Sequence, residues 1–389
     1  ETEPSEEETH DDNNDEHIAI TKDDDEDDEN NLEVQQMAEQ LATETDNNQD
    51  FNFIDLFAGI GGFHLAMHEN GGQCVFASEI DKYARQTYKL NFEDISPEIF
   101  ENGNFNSDIT DPELDYNKIP DFDVLCAGFP CQPFSLAGVS KKNSLGRKHG
   151  FEDETQGTLF FEIKEILRIK RPKAFFLENV KNLVSHDTGN TFKIIRDTLE
   201  EQLGYIVNWE IVNGGNWVPQ HRERIFIIGY DPKQISIEKQ EIIIPKEPNN
   251  GYVYPELKSI IKKKVDGFTL GPGTWTTLKR HKAHHAKVGN GFGYGIHKLP
   301  IKKGAVTRTI SARYHKDGAE ILIDQKDDRP RRLTIDEAMQ IQGYDPAKFV
   351  FPVSNTQAYK QIGNSVVVPA ITATVHEISK ILTDSTRWL

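Results

Sequence analysis

The 389-residue chain is long enough to bury a sizeable core and to form two domains. Its formal net charge is −19, but residues 1–50 alone hold 21 Asp and Glu against one Lys, so the rest of the chain is almost neutral. Three cysteines without paired spacing exclude a disulfide framework and favour a reducing, cytoplasmic compartment. No apolar run reaches the ~20 residues that a membrane-spanning helix needs, so we expect no membrane association.

Residues 1–49 form an acidic segment of low complexity. The segment has too few apolar residues to order itself by burying surface, and we predict a disordered tail. A solvated tail is the simpler interpretation, and an acidic arm that competes with nucleic acid for a basic face is the alternative. The chain starts at Glu1 and not at Met, as expected of a fragment or a processed protein.

The folded part begins with a strand, a glycine turn and a helix. Phe51–Phe57 is an apolar strand, Ala58–Gly62 is rich in glycine, and helical residues follow from Phe63. This order opens a nucleotide-binding βαβ unit, in which glycines let the backbone approach the ligand. The glycine spacing departs from the GxGxxG pattern of dinucleotide-binding proteins.

Acidic residues follow the next two strands. Glu79 ends the strand Gln73–Ser78, about twenty residues after the glycines, where a carboxylate can accept hydrogen bonds from ribose hydroxyls. Asp108 lies near a third short strand, where it could accept a bond from an exocyclic adenine amine. Together these positions predict a cofactor that contains adenosine.

A cysteine follows the apolar strand 123–127, in the turn Gly128–Gln132. The carboxyl end of such a strand is where open α/β sheets bind ligands, and Pro130 stiffens the turn. We therefore predict that Cys131 is a nucleophile. For an isolated cysteine, a buried inert thiol would be the better interpretation.

The segment 134–153 is long, polar and basic, with Lys141 and Arg147 among its charges. Long loops without regular structure are usually functional. We interpret this one as a candidate lid whose basic residues contact phosphates, with an ordinary surface loop as the alternative.

A carboxylate and two arginines complete the candidate chemistry. Glu178 directly follows the apolar strand 173–177, where burial should raise its pKa, although a helix-capping carboxylate is the simpler interpretation. Arg222 and Arg224 precede the strand 225–229 and alternate onto one face. They predict an anion or carbonyl clamp, unless they are an ordinary surface pair.

The block 246–332 holds 19 Lys and Arg against 8 Asp and Glu, with aromatic residues interleaved. Such a block beside a neutral remainder is typical of a nucleic-acid-binding surface. His281, His284 and His285 lie close in sequence, but no cysteine or carboxylate nearby completes a metal site, so we expect no metal. A short helix over 334–342, a turn at Gly363–Val366 and a last helix to about Leu382 follow.

In this order, the motifs resemble the cytosine-C5 DNA methyltransferase family over nearly everything from Phe51 to Leu382. The resemblance is carried by Asp55–Gly62, Gly128–Gln132, Glu178-Asn179-Val180, Gln220-x-Arg222-x-Arg224, the motif from Arg332 to Ala338, and Gly363–Val366. It implies a Rossmann-like α/β fold, with helices on both faces of a mixed sheet and a smaller, irregular target recognition domain. We expect a tail over 1–49, a catalytic domain over 50–245, the recognition domain over 246–350 and a return to the catalytic domain over 351–389.

The resemblance also assigns roles to single residues. Cys131 is implied as the nucleophile, Glu178 as the group that meets cytosine N3, and Arg222 and Arg224 as contacts in the base pocket. The residues implied to bind S-adenosylmethionine, with S-adenosylhomocysteine as the product, are Phe57, Gly59, Ile60, Gly61, Glu79, Ile80, Asp108, Ile109, Pro130, Leu159, Asn364 and Val366. The residues that we expect to contact DNA are Gln132, Ser135, Lys141, Arg147, Arg280, Lys282, Lys287, Asn290, Arg308 and Arg313.

Segments 129–147, 281–295 and 307–324 are similar to those of bacterial Dcm-type methylases of CCWGG, and the GNGFGY pattern also occurs in methylases of CCGG. The resemblance implies a short CC…GG target in duplex DNA. It also implies a bacterial, nucleoid-associated monomer, with a cognate restriction endonuclease as a partner. Two departures from the pattern are a shorter recognition block and Tyr344 in place of the usual Phe, which we interpret as a packing difference.

Three alternatives stay open. A tRNA cytosine-C5 methylase of the Dnmt2 type would share the catalytic core but not the large basic block. A catalytically inactive DNA-binding regulator would need a broken motif, and none is found. A small-molecule methylase would leave the basic block without a purpose.

Overall fold

The computed structural model describes residues 49–130, 159–289, 293–326 and 329–389. Seven strands form the central sheet: β1 (Phe51–Leu56), β2 (Gly72–Ser78), β3 (Phe105–Asn106), β4 (Val124–Gly128), β5 (Ala174–Val180), β6 (Ile206–Asn213) and β7 (Glu223–Tyr230). Their order is β3-β2-β1-β4-β5-β7-β6. Only β7 runs against its neighbours, β5 and β6.

The helices of the described chain are α1 (Gly62–His68), α2 (Lys82–Phe92), α3 (Pro97–Glu101), α4 (Leu159–Lys170), α5 (Asn190–Asp197), α6 (Leu257–Ile260), α7 (Pro272–Lys287), α8 (Tyr314–Asp317), α9 (Ile335–Gln340), α10 (Asn355–Asn364) and α11 (Val368–Thr383). A single π-helical turn, Thr198–Gln202, extends α5. Within the described ranges, no single helix has the length and apolar composition to cross a membrane. Helices α10 and α11 pass that test only when taken together across a 43° bend.

Both faces of the sheet are covered, because successive strand residues point to opposite sides. On one side Phe53 and Phe176 pack with α1, α2 and α11. On the other side Ile54 and Phe175 pack with α4 and α5. The predicted α/β fold, a mixed sheet with helices on both faces, is confirmed.

The strand order reverses between β1 and β4, which are neighbours in the sheet. The loops that leave the carboxyl ends of these two strands, at Phe57 and at Phe129, therefore diverge and leave a crevice between them. This is where the fold places a ligand site.

A smaller cluster lies outside the main core. Leu270, Leu278 and Leu322 are buried together, with Trp275 and Tyr294 packed against them. Two short parallel strands, β8 (Ile296–His297) and β9 (Leu322–Ile323), cross this region.

The sequence-based prediction misplaced some boundaries and missed five helices of the described chain, which are α3, α6, α7, α8 and α10. Strand β5 does not end at Leu177 but continues through Val180, because Glu178 pairs with Gly128 on one side and with Phe226 on the other. Helix α7 was not predicted because it buries only Leu278, so its sequence has almost no apolar periodicity. Helix α10 was also missed, since glutamines and a glycine interrupt its buried face.

Candidate active site

A cavity of about 430 Å³ opens at the point where the strand order reverses. Its walls come from the loops after β1, β2 and β4, from the end of β5, and from α10 and the turn that follows it. The predicted cofactor residues that line it are Phe57, Gly59, Ile60, Glu79, Ile80, Asp108, Ile109, Pro130, Leu159, Asn364 and Val366. Glu178, Arg222 and Arg224 line the same cavity, so the fold brings the predicted cofactor and catalytic residues together.

The glycine turn after β1 shapes one wall of the cavity. Gly59 has a φ of +57°, and its N–H donates to Oε2 of Glu79 at 2.8 Å. Gly61 is the predicted cofactor residue that does not line the cavity. Its φ is +84°, and a Cβ there would lie 2.1 Å from the ring of Phe92. Gly61 therefore lets α1 pack closely against α2.

Glu79 is fixed by backbone donors from two directions. Its Oε1 accepts from the N–H of Asp81 at 2.8 Å, while Oε2 is held by Gly59. Burial raises the pKa of Glu79, although these hydrogen bonds oppose the rise. Each carboxylate oxygen has a second lone pair, so the side chain can still accept bonds from ribose hydroxyls.

Glu178 and Arg224 form an ion pair inside the cavity. Nε of Arg224 lies 3.0 Å from Oε1 of Glu178, and both side chains are largely buried. Burial raises the pKa of Glu178, while the charges of Arg224 and Arg222 pull it down. The predicted rise in this pKa is confirmed, and it makes the carboxyl group a candidate proton donor.

Arg222 is held more tightly than a simple ligand contact would require. Its Nη1 donates to the carbonyl of Ile310 at 3.0 Å, and its Nη2 donates to the carbonyls of Gly363 and Ser365. Burial and the charge of Arg224 lower the pKa of Arg222 to about 9, which leaves the group charged at neutral pH. Arg222 therefore ties the segment before β7 to Ile310 and to the turn at Gly363–Ser365, which lines the cavity.

The predicted alternation along Gln220–Arg224 is present. Gln220, Arg222 and Arg224 point inward, whereas the side chain of His221 is 58% exposed. Gln220 donates to the carbonyl of Ile341 at 2.8 Å and accepts from the N–H of Ile310 at 2.8 Å. Gln220 thus connects the segment before β7 to Ile310, within the basic block 246–332, and to Ile341, at the end of α9.

Cys131 lies outside the described residues, but the chain that leads to it does not. Pro130 lines the cavity, and the carbonyl of Phe129 accepts a 2.8 Å hydrogen bond from Nδ2 of Asn179. The Asn179 side chain is buried next to Glu178 in β5. The motif Glu178-Asn179-Val180 contained this residue, but no role could be assigned to it from the sequence alone.

Other residues of the site were missed for lack of a local signal. Lys360 and Gln361 line the cavity from α10, the helix that was not predicted. The hydroxyl of Tyr344 lies 2.6 Å from Oγ of Ser365, which also lines the cavity. The interpretation of Tyr344 as a packing difference alone was therefore incomplete, because its hydroxyl holds the turn after α10.

The predicted DNA contacts fall into two groups. Arg280, Lys282 and Lys287 are exposed on α7, and Nζ of Lys282 lies 4.2 Å from the ring centroid of Tyr294. Arg308 donates to the carbonyl of Gly293 at 2.5 Å, and Arg313 is exposed at the start of α8. The remaining predicted contacts, which lie outside the described residues, are Gln132, Ser135, Lys141, Arg147 and Asn290. Across the described ranges, no three His, Cys, Asp or Glu side chains come together as a metal site.

A family model described as "C-5 cytosine-specific DNA methylase" matches residues 51–380. The chain belongs to this family. It is therefore a DNA (cytosine-5-)-methyltransferase, as its motifs predicted. The DNA-cytosine methyltransferase of Escherichia coli K12 is 45% identical over 366 residues, which cover 83% of this chain and 76% of that protein.

Two further relatives carry restriction–modification names. The type II methyltransferase M.SsoII of Shigella sonnei is 44% identical, with 87% of this chain and 82% of that protein covered. The type II methyltransferase M.HpaII of Haemophilus parainfluenzae is 40% identical, with 90% and 96% covered. Among solved structures, DNMT2 of Spodoptera frugiperda gives a TM-score of 0.62 at 22% identity, with 86% of this chain and 99% of that chain covered. At that identity the likeness shows the fold alone.

Proposed function

We propose that this methyltransferase transfers a methyl group from S-adenosylmethionine to C5 of a cytosine flipped out of duplex DNA, through a covalent bond between Cys131 and C6. The observation that carries the proposal is the single cavity that joins Glu79 and Ile80 at one end to Glu178 and Arg224 at the other. One end suits an adenosyl group, and the other end suits a pyrimidine that must be protonated.

The cavity fits the cofactor chemically. Gly59 and Gly128 leave room for close approach, Glu79 can accept ribose hydroxyl bonds, and Phe57 and Ile80 offer apolar surfaces to a purine. Ile80 is 72% exposed, and exposing this much apolar surface to water is unfavourable. A bound purine would cover it. When bound, S-adenosylmethionine supplies an electrophilic methyl group on its sulfonium.

The residues of the chain activate the base. Cytosine C5 is a poor nucleophile, so the thiolate of Cys131 adds to C6 and the electrons of the C5–C6 bond become available at C5. Glu178 gives a proton or a hydrogen bond to N3, which offsets the negative charge that develops on the ring. C5 then takes the methyl group. Its proton is lost to a base as the C6–sulfur bond breaks, and N3 returns to Glu178 any proton that it received, which releases the thiolate and 5-methylcytosine.

The two arginines have different tasks in this proposal. Arg224 holds Glu178 at 3.0 Å and keeps the end of the cavity positive, which favours the thiolate form of Cys131. Arg222 contacts the base pocket as a wall, because its Nη groups are already bound to three backbone carbonyls. Asn179 fixes the carbonyl of Phe129 and so sets the start of the turn that carries the nucleophile.

A cytosine inside a duplex hides C6, so the base must be extruded, at a cost of a few kcal/mol. We propose that the segment 246–350, with its small core around Leu278 and its exposed helix α7, is the target recognition domain that holds the opened DNA. Residues 50–245 and 351–389 would form the catalytic domain. The target is a short CC…GG palindrome, such as CCWGG or CCGG.

The relatives support the biological setting of the proposal. Those named type II methyltransferases favour a role beside a restriction endonuclease. We further propose a monomer that acts on the bacterial nucleoid. Sequencing of methylated cytosines in the DNA of cells that express the chain would give the target. Transfer of labelled methyl to duplex DNA but not to tRNA is expected, and transfer to tRNA alone would contradict the proposal.

A further inference from the structure

A lysine at the mouth of the cavity has no role in the chemistry described so far. Lys360 lies on α10, one helical turn before Asn364, so the two residues share a face of the helix, and both line the cavity. Nζ of Lys360 lies 2.6 Å from Oδ2 of Asp81, which begins α2 on the other side of the mouth.

Both carboxylate oxygens of Asp81 are engaged, one in capping α2 and the other in the contact with Lys360. Its Oδ1 accepts from the N–H groups of Tyr83 at 2.9 Å and Ala84 at 3.3 Å, and its Oδ2 accepts from Lys360. Burial alone would raise the pKa of Asp81, but the hydrogen bonds from Lys360 and from the two N–H groups outweigh it and lower the pKa. Asp81 therefore remains charged and holds the ammonium group in one place.

The ammonium group of Lys360 has capacity left. An ammonium group carries three N–H donors, and among the described residues only Asp81 accepts from this one. The side chain is 42% exposed, so the other donors can reach a ligand in the cavity.

The other cations that line the described part of the cavity are committed elsewhere. Arg224 pairs with Glu178, and the Nη groups of Arg222 donate to backbone carbonyls. The acidic lining residues Glu79 and Asp108 repel a carboxylate. Among these lining cations, Lys360 is therefore the one whose ammonium group we expect to donate to a ligand with one anionic group.

We propose that Lys360 binds the α-carboxylate of the amino-acid part of the cofactor, and that Asp81 positions the ammonium group for this contact. The inference rests on the proposed function, because it takes an S-adenosyl amino acid as the ligand. It names the residue that separates such a ligand from nucleosides that share its adenosine but lack the carboxylate.

Two ligands and one substitution test the contact. S-adenosylhomocysteine carries the carboxylate, and 5′-deoxy-5′-(3-aminopropylthio)adenosine is the same molecule without it. Isothermal titration of the wild-type protein should show that S-adenosylhomocysteine binds about tenfold to a hundredfold more tightly, as expected for one hydrogen bond between charged groups. Lys360→Gln should lose most of that preference while the affinity for the decarboxylated ligand stays unchanged.

Two further variants complete the design. Lys360→Arg should keep a preference for the carboxylate, since the charge remains. Lys89→Gln removes a comparably exposed lysine of α2, paired with Glu93 at 3.1 Å, and should change neither affinity. If Lys360→Gln weakened both ligands equally, the lysine would only tie α10 to α2 and the inference would be wrong. A wild-type protein that bound neither ligand would contradict the proposed function itself.

Discussion

Arg224 and Glu178 form an ion pair of 3.0 Å between adjacent antiparallel strands, at the end of a cavity whose other end has the features of an adenosyl site. Burial raises the pKa of Glu178, and the charge of Arg224 partly offsets that rise. Arg224 thus holds the carboxyl group of Glu178, which can exchange a proton, close to where the cytosine is expected to lie.

Replacing Glu178 by Gln tests its role as a proton donor. The amide keeps the shape and a hydrogen bond but cannot deliver a proton, so single-turnover methyl transfer should fall about 10²- to 10⁴-fold. Because the pKa of Glu178 is raised, its protonated form is lost only as the pH rises through that value. The pH–rate profile of the wild-type protein should therefore have a descending limb at high pH. The limb should be absent from the pH profile of the variant. A variant with wild-type rate would remove Glu178 from the mechanism.

The bond from Asn179 to the carbonyl of Phe129 predicts a positioning effect. Asn179→Ala should lower the rate of methyl transfer about tenfold to a hundredfold, since small displacements of reacting atoms are costly, while the affinity for S-adenosylhomocysteine stays within a few fold. Asn208 provides a matched control, because it also donates from a strand to a carbonyl, that of Ile242, at 2.9 Å. An equal loss of rate in Asn208→Ala would show that the effect is one of general stability.

The exposed helix α7 predicts a salt-dependent contribution to DNA binding. Substitution of Arg280, Lys282 and Lys287 by Gln should weaken binding and lower the salt slope by about 0.9 for each phosphate contact that is lost. Titration of a labelled duplex at several salt concentrations measures both quantities. Lys193→Gln, on α5, should leave them unchanged. Identical slopes for the triple variant and the wild-type protein would place the DNA elsewhere.

The buried carboxyl group of Asp55 should make the free energy of unfolding depend on pH. Burial raises its pKa well above the usual value, and Oδ1 has no partner among the described residues. The folded state therefore keeps a proton that the unfolded state loses, and stability falls as the pH rises above about 4, by at most about 1.4 kcal/mol per pH unit. Asp55→Asn should remove this loss, so urea unfolding should show the variant gaining on the wild type as the pH rises from about 4 towards the raised pKa of Asp55. Asp121→Asn, at a fully exposed position, should show no such gain.

Two acidic residues of the site could be predicted from the sequence because they follow apolar strands. Glu79 and Glu178 each lie at the end of such a strand or just inside it, and strand order alone brings these ends to one edge of the sheet. The long-range contacts of the site could not be predicted. Lys360 meets Asp81, and Arg222 meets Gly363, only after α10 returns to the sheet, and no local pattern records these pairings.

The most direct test of the account is covalent trapping on Cys131. Duplex DNA that carries 5-fluorocytosine at an established target cannot lose the group on C5, so the bond between sulfur and C6 should persist. With S-adenosylmethionine present, denaturing electrophoresis and mass spectrometry should show a protein–DNA adduct on Cys131 and none in Cys131→Ala. Methylation of the unmodified target by the wild-type protein, without any adduct on the fluorinated one, would contradict the covalent mechanism.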